Sequence, residues 1–238
     1  MKKVDWKEVW KTMLPICISY IPIGIGCGIL LEQAGFGSLA VLLTSLLIYG
    51  GASQFMIASM TLGGATLIQV VTMVFFINLR HILMSSSLAS KVKTRSTTFN
   101  LLFAQTITDE SFAINTLQFK TNPNWTSNNA LAAGVIAYLT WAASTFVGAL
   151  VGNNLALSTV VMNYLLVAMF IYLLVSQMEN KVFLYTAIFA AVSAVLLKLV
   201  FQNGVGVLIA SVLASFFGLA LELRREEREE RERAVHES

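Results

Sequence analysis

From Thr12 to Leu223 the chain runs through 212 residues with only seven lysines or arginines and five aspartates or glutamates. Runs so poor in charge are stable mainly in hydrocarbon, where every ionised side chain must be paired or hidden. The other nine basic residues sit at the two ends, four before Thr12 and five after Leu223. Charged residues make up 12% of the chain, against about a quarter in soluble domains. A soluble enzyme, a nucleic-acid binder and a disordered chain are excluded. The chain reads as an all-α, polytopic integral membrane protein.

Eight hydrophobic stretches can be drawn, at 12–31, 39–62, 66–88, 98–118, 129–152, 155–177, 182–200 and 204–222. Each is near the ~20 residues that cross a bilayer core. The links are short, and the longest polar one, 120–129, splits the chain near its middle. A single transporter domain is expected over 1–222, divisible into halves at 12–118 and 129–222. A charged cytoplasmic helical tail follows over 223–238, where Glu227/Arg231 and Arg228/Glu232 stand four apart. Positive-inside placement puts the lysine-rich N-terminus in the cytoplasm. Lys91, Lys93 and Arg95 follow the third stretch and also ask to be inside, yet three full crossings put them outside. One of the first three stretches is therefore expected to be re-entrant or broken, giving seven to eight segments with broken helices in the first half.

The polar anomalies cluster in that half. Pro15 and Pro22-Ile-Gly24-Ile-Gly26-Cys-Gly28 weaken the helical ladder, because proline removes a donor and glycine loosens the backbone. A break there exposes N–H groups that can hold substrate; the alternative is plain helix packing through Gly24 and Gly28. In the second stretch Gly50-Gly51 permits a break, and Ser53 and Gln54 offer hydrogen bonds at depth. In the third, Asn78, His81 and Ser85 share a face beside Arg80. In the fourth, Gln105, Thr108, Asp109, Phe112 and Thr116 fall on one stripe of a continuous helix. Arg80 can neutralise one of Asp109 and Glu110, and the second must pair with His81 or stay protonated. The substrate-binding candidates are Pro22, Gly24, Gly26, Ser53, Gln54, Asn78, Arg80 and Asp109; Glu110 and His81 are the proton-coupling candidates. Phe55, Phe76 and Phe112 are candidate pocket walls. No nucleotide-binding, hydrolase or zinc motif is present, so no enzyme activity, cofactor or metal is expected.

Asn78-Leu-Arg80-His81, Thr108-Asp109-Glu110-Ser-Phe-Ala113 and Gly51-Ala-Ser53-Gln54 together resemble the AzlC family, as do Pro22-Ile-Gly24 and Trp141…Gly148…Gly152. The resemblance covers the chain to about residue 220 and leaves out the tail. It implies a bacterial cytoplasmic-membrane permease exporting branched-chain amino acids, paired with a small AzlD-type membrane subunit. It implies no binding residues; those above rest on the residues themselves. The competing readings are a channel or carrier for another small solute, a subunit whose partner completes the site, and an intramembrane enzyme using Asp109 and His81.

Overall fold

The computed structural model describes residues 4–92, 96–154, 181–201 and 205–236, with isolated positions between 164 and 175; side chains at 200–208 and 226–236 are outside the description. Nine helices have defined bounds among these residues, in two separately packed units. Four are long and apolar enough to cross a membrane: Trp6–Gln33, Leu67–Ala89, Ser127–Gly152 and Lys181–Leu199. The sixth stretch, 155–177, lies almost wholly outside the described residues.

The first helix, α1 (Trp6–Gln33), is unbroken through Pro15 and Pro22. This corrects the expected break. Both prolines lie on the exposed side of the helix, away from any neighbour that the ring could disturb. The opposite stripe of Val9, Met13, Cys17, Tyr20, Gly24, Cys27 and Leu31 is buried. It lies against the helix spanning Ser127–Gly152, where a side chain on Gly28 would strike the Thr145 backbone and one on Gly148 would strike that of Ile25. Without a hydrophobic drive between helices in lipid, such close backbone approach is what holds them. Asp5 N–H donates to Asn129 Oδ1 (3.0 Å), Tyr20 meets Trp141 edge-on (5.2 Å), and Gln33 Nε2 donates to the Gly152 carbonyl (3.1 Å). Residue numbers climb together, so the two helices run parallel.

The second stretch is broken into α2 (Ser38–Leu47) and α3 (Gly51–Leu62). Tyr49 between them adopts φ 44°. Gln54 Nε2 donates to Ser45 Oγ (2.8 Å) and Thr44 Oγ1 (3.2 Å). Extended side chains joined by such a bond keep the Cα atoms of residues 45 and 54 within about 10 Å. Two collinear helices with the same link would hold them about 15 Å apart. The chain therefore turns back at Tyr49–Gly50. After the tight link Gly63–Thr66, α4 (Leu67–Ala89) packs against α3; its N-cap Thr66 and Gln69 close a capping box. Ser53 Oγ donates to Asn78 Oδ1 (2.6 Å), which fixes the two helices antiparallel.

The fourth stretch is also broken, into α5 (Thr97–Gln105) and α6 (Asp109–Thr121). This corrects the single helical stripe from Gln105 to Thr116. Thr108 ends the run because its hydroxyl accepts from Ser111 N–H and its own N–H donates to Ser111 Oγ, a cap that stops a helix from passing through. The far end of α6 returns to the start of α1: Gln118 Nε2 donates to Thr12 Oγ1 (3.4 Å), and Asn122 Nδ2 to Glu8 Oε1. The long helix α7 (Ser127–Gly152) follows. By direction, α4 heads towards the N-terminal side and α6 ends there, so α5–α6 forms a second chain reversal, entered from the side opposite to α2–α3.

The second unit holds α8 (Lys181–Phe201) and α9 (Val205–His236). They pack through Gly218 against Thr186 and through stacked Phe189 and Phe217 (4.3 Å). Helix α9 continues without a stop into the charged tail. Arg225 pairs with Glu222 at 3.5 Å; the side chains of the pairs expected at 227–233 lie outside the description.

A polar centre where two helix breaks meet

The two breaks are built against each other. Helix α2 ends with the carbonyls of Leu46 and Leu47, which lose their helical partners at the turn. A carbonyl left unmet in hydrocarbon costs several kcal/mol. Gln105 Nε2, at the end of α5, donates to both (3.2 Å each), and Tyr138 Oη of α7 donates to Leu46 (2.6 Å). One break thus caps the other. Gly134 of α7 leaves room for Thr106 of the second break, and Gly51 of the first rests on the Trp141 ring. Trp141 Nε1 donates to Gln54 Oε1 (2.7 Å). Gln54 is fully buried, with hydrogen bonds from both its amide nitrogen and its carbonyl oxygen to neighbouring side chains.

Charge gathers at the start of α6. Asp109 and Glu110 occupy its first turn, where the helix dipole favours carboxylates. Arg80 Nη1 of α4 bonds Asp109 Oδ2 at 2.9 Å, with both side chains about one-third exposed. Glu110, on an exposed position, accepts from Tyr20 Oη of α1 (2.7 Å), and the same hydroxyl lies 3.0 Å from Thr108 Oγ1. His81 follows Arg80 and is partly exposed. Helix α3 begins after Gly50 with no side-chain cap, so its first N–H groups lack the usual side-chain oxygen, and Ser53 in its first turn bonds Asn78, two residues before Arg80.

Of the residues singled out in the sequence, Ser53, Asn78, Arg80, Asp109 and Glu110 surround this centre, and Gln54 braces it. Pro22 lies on the exposed side of α1, Gly24 is closed against Ser144, and Gly26 opens on free space. Phe55 is fully buried, Phe112 is intermediate and Phe76 is half exposed on the outer side of α4. Sequence reasoning missed Tyr20, Tyr49, Tyr138 and Trp141. Aromatic residues with polar tips inside apolar spans were the available signal.

Residues 15–155 match the AzlC protein family. An uncharacterized membrane protein of Archaeoglobus fulgidus is 34% identical over 172 residues, covering 70% of this chain and 73% of that protein. Inner membrane protein YgaZ of Escherichia coli is 31% identical, covering 73% of this chain and 74% of its own. The branched-chain amino acid transport protein AzlC of Bacillus subtilis is 23% identical over 77% of this chain and 72% of its own. No solved structure matches. The matched span starts inside α1, ends just past α7 and so takes in both breaks and all the charge they gather: the chain is a membrane transport protein of the AzlC family.

Proposed function

We propose that this protein exports branched-chain amino acids (valine, leucine and isoleucine) from the cytoplasm as a proton-coupled secondary transporter. The observation that carries this reading is the pair of carboxylates at the start of α6, one bonded to Arg80 of α4, with Asn78 on the same helix bonded to the first turn of the uncapped α3. An amino acid needs donors for its carboxylate, an acceptor for its ammonium group and an apolar space for its side chain. Arg80 and the first N–H groups of α3 serve the carboxylate, as at other broken transporter helices. Glu110 serves the ammonium group or a proton, because Asp109 is already matched by Arg80. The Bacillus subtilis relative is named for branched-chain amino acid transport, which supports the substrate class.

The bacterial cytoplasmic membrane is the proposed location, with the N-terminus inside. The chain directions support this orientation. The link joining α4 to α5 carries Lys91, Lys93 and Arg95 in its sequence. It connects helix ends on the N-terminal side, as does Lys120 at the end of α6. Of the described lysines and arginines up to Asn154, Arg80 alone then stands away from that side, as positive-inside placement asks. A small AzlD-type subunit is the proposed partner. The open position of Glu110 supports it, since a carboxylate at this depth has to face water or protein.

The test is leucine flux in vesicles holding this chain with and without the small subunit, under an imposed pH gradient. Gradient-driven leucine movement that needs both chains, and whose pH dependence flattens in Glu110→Gln, is the expected result. No leucine movement in any arrangement would refute the reading.

A further inference from the structure

Helix α6 is held unlike the helices beside it. The side chains it buries are Ser111 and Asn115, both polar, and both bond within its own stretch of chain. Ser111 Oγ donates to the Thr106 carbonyl (3.1 Å) in the break before it. Asn115 Oδ1 accepts from Trp125 Nε1 (3.1 Å) in the link after it. Its ties to α1 and α4 run through other polar side chains. Asp109 meets Arg80 and Glu110 meets Tyr20 at its start; Gln118 meets Thr12 and Asn122 meets Glu8 at its far end. The far-end bonds lie beside the polar link 122–126, where water can replace them at little net cost.

Helices α1 and α7 are joined in the opposite way. Side chains added at Gly28 or Gly148 would strike the facing backbone. Backbones that close cannot part without emptying a packed interface. The pair α1–α7 is therefore a fixed block, and α6 rests on it by bonds that can be remade. Non-helical links at 106–108 and 122–126 flank α6 and can absorb the change in backbone angles that a swing needs. Such a swing uncovers a stripe of α1. Thr12, Ile16 and Ser19 lie at i, i+4 and i+7 and are partly buried. The stripe leads from the Gln118 bond on the N-terminal side to Tyr20, whose hydroxyl holds Glu110 in the polar centre.

We infer that α6 is a gate: its far end swings away from α1 about the break at 106–108 and opens the polar centre to the N-terminal side of the membrane. This goes beyond the amino-acid reading, because the gate serves any solute that the centre takes.

The experiment removes the far-end bonds from the α1 side, with Glu8→Ala and Thr12→Val together, so that α6 and its links keep their own contacts. Access is read as the rate at which a water-soluble maleimide modifies one cysteine in the purified full chain. The reporter is Ser19→Cys, with Cys17 and Cys27 replaced by alanine. Ser19 Oγ donates to the Ile16 carbonyl of its own helix (2.8 Å), so this substitution leaves the ties between helices intact. The control keeps native Cys17, which lies against Thr140 of α7 (3.4 Å), and replaces Cys27 alone. Removing the two bonds is expected to speed modification at position 19 by about tenfold or more and to leave the rate at Cys17 unchanged. No change at position 19 would overturn the inference. So would equal acceleration at both positions, since the bundle would then have loosened as a whole. A second arm locks the gate. Thr12→Cys and Gln118→Cys, in the chain without Cys17 and Cys27, are bridged in vesicles by a short, reducible bifunctional thiol reagent. Leucine flux is expected to stop on bridging and to return on reduction; flux that continues in the bridged chain would overturn the gate. No leucine flux before bridging would count against the amino-acid reading alone, and the labelling would still decide the gate.

Discussion

The Arg80–Asp109 pair shows how far single residues can be read. An arginine in the third apolar stretch and two carboxylates in the fourth cannot stay apart in hydrocarbon, so their contact follows from charge alone. Its 2.9 Å geometry agrees, while the one-third exposure of both side chains sets the magnitude. A dry pair would couple by several kcal/mol; this one, partly screened by solvent, should couple by about 0.5–1 kcal/mol. A double-mutant cycle of Arg80→Ala and Asp109→Ala, read as unfolding free energy in detergent, checks it, and additive losses would deny the contact. Trp141→Phe is a second test at this scale. It removes the donor to the buried Gln54 oxygen at 2.7 Å and should lower stability by about 1–3 kcal/mol. A melting temperature unchanged by that substitution would mean that Gln54 is not held as described. Trp141 was not legible beforehand, because its role depends on the turn at Tyr49 bringing residue 54 back to it. No sequence periodicity encodes that.

Elements were legible unevenly. The spans now seen as α4, α7 and α8 follow from length and apolarity, and their drawn ends fall within about two residues of the observed ones. The break at Gly50 was readable from paired glycines. The one at Thr108 was not, since Gln105-Thr-Ile-Thr-Asp carries neither glycine nor proline. The signal that existed was a cap: a threonine before two acidic residues, the pattern that starts a helix. Helix α1 failed in the other direction. Proline and glycine count as breakers only where nothing compensates. In α1 the prolines face outward and Gly24 and Gly28 serve packing. The two roles separate by mutation. Pro22→Ala should leave both folded yield and flux close to wild type. Gly28→Ala forces a side chain into the Thr145 backbone and should sharply reduce folded yield, as overpacking of a rigid contact does. Loss of flux in well-folded Pro22→Ala would restore a working role for the proline.

At the scale of the whole first unit, the parallel run of α1 and α7 and the two chain reversals settle a conflict that charge counting alone left open. Three full crossings place Lys91 opposite the N-terminus; a re-entrant α2–α3 places it on the same side. The polar centre owes its existence to the same reversals, because each stops a helix at depth and leaves its terminal groups for another to meet. Site and topology therefore stand or fall together. Labelling of single cysteines with a membrane-impermeant reagent tests them most directly. Ser90→Cys, Asn124→Cys and Gly64→Cys are introduced one at a time into a chain whose buried Cys17 and Cys27 are replaced by alanine. The account predicts that residues 90 and 124 label from the same face of the membrane and residue 64 from the opposite face. Labelling of residue 124 from the face that exposes residue 64, with residue 90 on the other, would mean that α5–α6 crosses fully, and the meeting of the two breaks would have to be abandoned.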